Sequence, residues 1–232
     1  MQNGTFIATG SGPPTVIVIT PPKMVIDFTS PTSLRQFKLE IDGRILYVNA
    51  HYLAEISPYF QALCFANFRE HEDNKVELKG VEYEDMLEVL RCVCPDENFE
   101  FDQRISAQNL PALIYLSSRL LLQNLRRELE SILQSNPQPL LDDPEVSTEN
   151  LVIILGEAMT AEFSETAICQ MCRRLGKRNK EEAFKQVEKL FPAEFAAKLT
   201  EKLQSYYYQQ PLVCLKGTPH NWNDGVYMRL FF

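Results

Sequence analysis

The side chains with the most chemical reach in this chain are its six cysteines. Two pairs stand close together, Cys92-x-Cys94 and Cys169-x-x-Cys172, and paired thiolates are how zinc sites commonly begin. A structural zinc needs about four ligands, as a rule from two knuckles in loop geometry. Here Cys169 and Cys172 fall inside a helical pattern, and Cys92 and Cys94 fall at the end of another. Nothing in the sequence brings the pairs together, so the cysteines read as small buried hydrophobic side chains. Their irregular spacing gives no disulfide framework, which points to free thiols in a reducing compartment. The three histidines, His51, His71 and His220, are far apart and none adjoins a Ser or Cys nucleophile motif. No Gly-rich phosphate loop is present. The expectation is a protein that is not an enzyme, with no catalytic residue, no cofactor and no metal.

Arg173, Arg174, Lys177, Arg178 and Lys180 form the one basic cluster. Such a run can meet an acidic partner or serve as a nuclear import signal, but around Gly176 it reads first as a solvated connection between two helices. Across the 232 residues, 31 acidic side chains outnumber 23 basic ones, for a formal charge of −8. An acidic surface repels phosphate backbones, which argues against nucleic acid as a partner. The apolar runs, such as Val16–Ile19 and Leu151–Leu155, fall well short of the roughly 18–20 residues of a membrane span. The opening residues carry neither a basic nor an apolar signal region. No membrane partner is expected, and the location is intracellular, in cytoplasm, nucleus or both.

The elements that would position any site are legible in the periodicity. Residues 1–14 are rich in Gly, Ser, Thr and Pro, and two β-branched runs follow, Val16–Ile19 and Met24–Phe28, both bordered by proline. Phe37-Lys38-Leu39-Glu40-Ile41 alternates as a half-buried strand does. Asp42-Gly43 is a two-residue type I′ turn sequence, and Ile45–Val48 supplies the returning strand. A short helix over His51–Ile56 leads to Ser57-Pro58, a helix cap followed by proline in the first turn, with the helix running through Cys64. Lys75–Lys79 alternates again. Tyr83–Val93 is an amphipathic helix with Met86, Leu87, Leu90 and Val93 as its stripe, closed by Pro95. Asn109 reads as a cap for a helix carrying Leu110, Leu113 and Ile114, and a further helix spans Leu121–Leu133. Ser135-Asn-Pro-Gln-Pro marks a break. Beyond it every periodic signal is helical: from Ser147 to Met159, Phe163 to Leu175, Lys180 to Phe191, and from Pro192 through Leu203.

The stretch from Phe37 to Leu133 resembles a BTB/POZ domain. In that family a strand, a Gly turn and a second strand lead into a helix reading x-x-Leu-x-x-x-Ser-x-x-Phe, and Leu39, Ile41, Gly43, Val48, Leu53, Ser57 and Phe60 stand at those places. Val76-Glu77-Leu78, Val81 and the Met86-Leu87 pair with Leu90 match the next strand and helix. LPALIYLSSRLLLQNLRRELESIL matches the Leu-rich helical pair that ends the domain. Three positions depart from the family: Gln36 replaces an acidic residue before the first strand, Asn49-Ala50 replace a His-Lys pair, and Leu129 replaces a Cys.

The resemblance implies an α+β class, with a BTB/POZ fold (a small mixed sheet flanked by helices) followed by an all-α helical extension. It divides the chain into a flexible leader with a possible exchanged N-terminal strand (1–33), the BTB/POZ-like domain (34–133), the helical extension (134–205) and an aromatic-rich tail (206–232). Many cullin-binding members carry a hydrophobic-x-Glu motif in the loop after the Ser-x-x-Phe helix, which here is Phe68-Arg69-Glu70. Phe68 would bury itself in a partner's pocket while Glu70 accepts hydrogen bonds; alternatively Phe68 packs under its own loop and Glu70 is solvated. The implied function is a protein-interaction adaptor that recruits or scaffolds a protein substrate for a cullin-3 type ubiquitin ligase. Its partners would be that scaffold, a protein substrate and a second copy of itself. A BTB self-association module of a transcriptional or structural regulator, without cullin binding, is the alternative. The extension would lengthen the scaffold-binding face or simply stabilise the domain.

Overall fold

The computed structural model describes residues 26–65, 74–95 and 105–208, the side chains of the last two excepted. Strands β1 (Phe37–Ile41) and β2 (Arg44–Val48) pair antiparallel, with Phe37 opposite Val48 and Ile41 opposite Arg44. Asp42 and Gly43 turn the chain at φ 50° and 75°, the two left-handed residues that a type I′ turn requires. Phe37, Leu39 and Ile41 of β1 point into the core while Lys38 and Glu40 stay at the margin. Strand β3 (Lys75–Glu77) joins the other side of β1 in parallel, giving the order β2-β1-β3. The alternation from Lys75 to Lys79 yields a strand only as far as Glu77. Leu78 still donates to the Glu40 carbonyl at 2.8 Å, but Gly80 then turns at φ 65° and the Arg119 guanidinium takes the Lys79 and Gly80 carbonyls.

Between β2 and β3 lie α1 (Ala50–Ile56) and α2 (Pro58–Phe65). Asn49 caps α1 by accepting from the Tyr52 N–H at 3.1 Å, so this departure from the family pattern keeps a working cap. Ser57 has no exposed surface. Its hydroxyl accepts from the Phe60 N–H at 3.1 Å, capping α2, and donates to the Leu120 carbonyl at 2.6 Å. Helix α3 (Tyr83–Val93) buries Tyr83, Met86, Val89, Leu90 and Cys92, while Leu87 and Val93, read as part of the stripe, lie at its edge.

Helices α4 (Leu110–Arg119) and α5 (Gln123–Gln134) pack against each other across a short connection. Asn109 precedes α4, yet its side chain caps nothing there; it accepts from the Ser106 N–H at 2.9 Å and donates to Glu88 on α3 at 2.9 Å. Leu121, expected as the first residue of α5, sits at φ 52° in the connection, exposed, and Leu122 turns inward instead. Leu129, where the family has Cys, is fully buried.

The supposed break after α5 holds a short helix, α6 (Pro139–Asp142), and a cis peptide at Asn136-Pro137. Then come α7 (Thr148–Thr160), α8 (Glu165–Gly176), α9 (Lys180–Leu190) and α10 (Ala193–Tyr208). Ser147, Ser164 and Asn179 cap α7, α8 and α9 through their side chains. α7 packs on α4 and α8 on α5, so one continuous core runs from Ile26 to Leu203. Gly156 makes room for α9 against α7: any Cβ there would run into the Phe191 ring at the end of α9. Ile26 and Phe28, assigned to the leader from sequence, are buried in that core, and Tyr206, assigned to the tail, lies within α10. The apolar run ending at Phe28 had a reason to fold back: its carbonyl accepts from Tyr47 N–H at 2.7 Å on the outer edge of β2.

The basic cluster is not a merely solvated connection. Arg174 is 3% exposed. It donates to the Leu133 carbonyl at 2.8 Å and to the Ser135 carbonyl, both at the C-terminal end of α5, and its Nε stands 3.4 Å from Asp142. Arg178 donates to the Asp143 and Pro144 carbonyls at 2.9 and 3.3 Å. The Leu133 and Ser135 carbonyls lie at the end of α5, past the last residues that could supply them an intrahelical N–H, and a cation at a helix C-terminus also complements its dipole. Arg174 therefore clamps α8 onto the end of α5, and Arg178 ties α8 to the 143–144 segment within the extension. Replacing Arg174 with Met should cost about 3 kcal/mol in denaturant unfolding, because two carbonyls and Asp142 lose a buried cation. A loss below about 1 kcal/mol would show that the clamp is incidental.

Candidate protein-interaction surface

The helices α1 and α2 turn one side to the core and leave an apolar margin outside. Tyr52, Ile56, Tyr59 and Leu63 are half-buried at the core's edge, and Phe65, the last residue of α2, is exposed. The His51 ring lies 4.9 Å from the Phe65 ring, a tilted aromatic contact. The chain reaches β3 through residues 66–73, which hold Phe68, Arg69, Glu70 and His71. These positions lie outside the described residues, as do Val16–Ile19, Met24, Cys214 and His220.

Two clefts open on the surface of the described residues. The first, of about 200 Å³, opens between α1, α3 and α5. Ile56, Cys92, Val93, Leu122 and Leu125 make it apolar, and Asn124 and Glu128 give it a polar rim. The Tyr52 hydroxyl donates to the Val93 carbonyl at 2.6 Å, and burial raises its pKa. The second, of about 300 Å³, lies on the seam between α4 and α7 and is lined by Tyr115, Ser118, Arg119, Glu157, Thr160 and Ala161. Burial pushes the Glu157 carboxyl above its ordinary pKa. Nothing in the sequence marks this cleft, because Glu157 reads as one polar residue in the apolar run of α7.

The charged groups at the junction have the opposite tendency. The Ser164 hydroxyl and N–H hold the Glu130 carboxyl below its ordinary pKa. For Asp142 burial works upward, but the Gln138 N–H, Arg174 and Lys177 outweigh it and lower the pKa. A carboxylate with a depressed folded-state pKa contributes stability above its unfolded pKa and loses it as pH falls through the folded one. The seam of the two parts is therefore weakened by acid.

The cysteines divide by burial. Cys64, Cys92, Cys94 and Cys172 are buried, but Cys169 is exposed on α8, which corrects its reading as a small core residue. It follows Ile168 by one residue and so turns off the face that Ala167, Ile168, Met171 and Cys172 bury. Burial pushes Cys64 up to about 11 and Cys94 and Cys172 up to about 12, the opposite of an activated thiolate. Among the described residues no group of three or more His, Cys, Asp and Glu side chains gathers as a metal site would need. None of the helices described is long and apolar enough to cross a membrane.

The described residues thus form a hairpin-based sheet against paired helices, continuous with a helical bundle and bordered by two clefts. Residues 27–137 match the family model of the BTB/POZ domain, and the chain carries that domain. It is similar to BTB and MATH domain-containing protein 38 of Caenorhabditis elegans, with 33% identity over 102 residues. That alignment covers 44% of this chain and 25% of the relative, so the chain spans about a quarter of the length of the curated relative it matches.

The burial pattern predicts how the thiols react. With Cys214 replaced by Ser, a maleimide applied to the folded protein should add once, at Cys169, and reach Cys64, Cys92, Cys94 and Cys172 only after unfolding. Mass spectrometry showing native labelling of the buried four at a rate matching Cys169 would contradict the packing of α2, α3 and α8.

Proposed function

We propose that this protein is an adaptor whose BTB/POZ domain docks a cullin-3 type ubiquitin ligase scaffold through Phe68 and Glu70 and brings a protein substrate to it. The observation that carries the proposal is the BTB/POZ domain at residues 27–137, with a hydrophobic-x-Glu triplet in the connection between α2 and β3. In chemical terms Phe68 is the anchor that fills a partner pocket, and Glu70 accepts charge-assisted hydrogen bonds beside it. The helical extension, fused to the domain through α4–α7 and α5–α8 packing, widens the face that a scaffold or substrate can meet. In the C. elegans relative, as its name states, a BTB domain accompanies a MATH domain; within this chain the extension and residues 206–232 are segments that can meet a substrate.

The test is calorimetric titration of the full chain against the N-terminal domain of a cullin-3 type scaffold. Phe68→Ala with Glu70→Ala should weaken binding by about 2 kcal/mol or more, with Tm nearly unchanged. Equal affinity of the folded double variant would remove these residues from the interface.

Self-association belongs to the same proposal. The half-buried Tyr52, Ile56, Tyr59 and Leu63 on α1 and α2 offer an apolar face of the kind a second copy covers. Light scattering should find twice the single-chain mass of 26.7 kDa. A strict monomer at tens of micromolar would rule the dimer out. If the chain dimerises but binds no cullin, the regulator reading replaces the ligase one.

A further inference from the structure

We infer that Ser30 is a phosphorylation site for a proline-directed protein kinase, and that its phosphate loosens the turn that latches Ile26 and Phe28 to the core. The site precedes β1 at the outer edge of β2 and shares no residue with the α2–β3 connection or with either cleft.

Ser-Pro occurs twice in the chain, and burial separates the two. Ser57, before Pro58, has no exposed surface, and its hydroxyl is engaged by the Phe60 N–H and the Leu120 carbonyl. Ser30, before Pro31, is exposed, as are Thr29, Pro31 and Ser33 around it. Proline holds the residue before it in extended backbone, the shape in which protein kinases take a peptide. A kinase that reads the proline ring after a serine therefore reaches Ser30 in the folded chain and does not reach Ser57.

The phosphate arrives beside a carboxylate. Asp27 Oδ1 accepts from the Thr29 hydroxyl at 2.7 Å and from the Thr29 N–H at 2.8 Å. Those bonds, with a further one from the Ser30 hydroxyl and the nearby Arg35 guanidinium, outweigh burial and hold the Asp27 carboxyl below its ordinary pKa. Phosphorylation removes the Ser30 donor and sets about −1.5 to −2 charges next to that carboxylate.

Both neighbours of Asp27 are anchors. Ile26 and Phe28 lie in the core, and the Phe28 carbonyl accepts from the Tyr47 N–H of β2 at 2.7 Å. Arg35 closes the turn from its other end. Its guanidinium lies 5.2 Å from the centre of the Phe28 ring and donates to the Asp27 carbonyl at 3.4 Å. The phosphate acts on both holds in the same direction. It repels Asp27, and by attracting Arg35 it draws that cation off the Phe28 ring and the Asp27 carbonyl. The Tyr47 N–H then loses its acceptor and the edge of β2 opens.

The step is a phosphoryl transfer. The Ser30 oxygen bonds to the γ-phosphorus of ATP, the bond from that phosphorus to the departing ADP oxygen breaks, and the hydroxyl proton passes to the kinase's catalytic carboxylate.

The full-length, folded, 15N-labelled chain is treated with ATP and a purified kinase of the mitogen-activated class. Fragmentation of the tryptic peptide from Met24 to Arg35 should place a phosphate on Ser30, and the peptide holding Ser57 should carry none. In the phosphorylated chain the Tyr47 amide should exchange with solvent about tenfold faster or more, while that of Leu46, paired with Leu39 of β1, keeps its rate. Ser30→Ala, treated alongside, should take no phosphate in the Met24–Arg35 peptide and keep Tyr47 exchange within about twofold of the untreated wild type. An unmodified Ser30, equal phosphorylation of Ser57 in the folded chain, or an unchanged Tyr47 rate once Ser30 carries its phosphate would overturn the inference.

Discussion

The architecture turns on one hydroxyl. Ser57 lies between α1 and α2 with no exposed surface, accepting from the Phe60 N–H and donating to the Leu120 carbonyl. It therefore caps one helix at its start and satisfies a carbonyl at the end of another, across a gap of 63 residues in sequence. Neither group has an intrahelical partner, and a buried polar group left unpaired costs roughly 1–3 kcal/mol. Leu53 and Phe60, both fully buried, sit on either side of it in the same motif. The x-x-Leu-x-x-x-Ser-x-x-Phe pattern is in this sense a packing requirement. It sets how the α1–α2 hairpin stands against α4, and so which of its side chains are left at the surface for a partner.

A second set of buried polar contacts decides whether the chain is one unit or two. Arg174, Arg178 and Asp142 tie the end of α5 and the 135–144 segment to α8, while apolar contacts of α7 on α4 complete the seam. A buried cation of this kind is weak evidence of high stability, since its desolvation offsets much of its pairing, but it specifies geometry. The extension cannot slide or swing without stranding the Leu133 and Ser135 carbonyls. Any partner meeting both parts meets a fixed surface.

The local features were legible because neighbouring residues determine them. Asp42-Gly43 can hardly be anything but a type I′ turn between alternating strands, and Ser57-Pro58 and Ser147 announce caps through chemistry confined to three or four residues. What the sequence concealed depends on distant partners. Asn109 stands at the start of α4 but answers to Ser106 and Glu88. Arg174 looks like one more charge in a basic run, and only the fold reveals that it meets the end of α5. Leu121 would extend α5 on periodicity alone, yet the close return from α4 forces it into a left-handed turn. The candidate scaffold residues, Phe68 and Glu70, were found by their place between a helix and a strand. The Glu157 cleft had no sequence signal at all, because its walls come from two helices some 40 residues apart.

The BTB/POZ domain at residues 27–137 and the half-buried apolar margin of α1 and α2 suit the proposed adaptor, whose work is to hold other proteins. That account stands or falls on the scaffold. The direct measurement is isothermal titration of the intact chain with the N-terminal domain of a cullin-3 type scaffold. The account predicts saturable binding of one scaffold per chain with a Kd of about a micromolar or tighter, near −8 kcal/mol. Absence of any saturable heat with both proteins folded at tens of micromolar would contradict it.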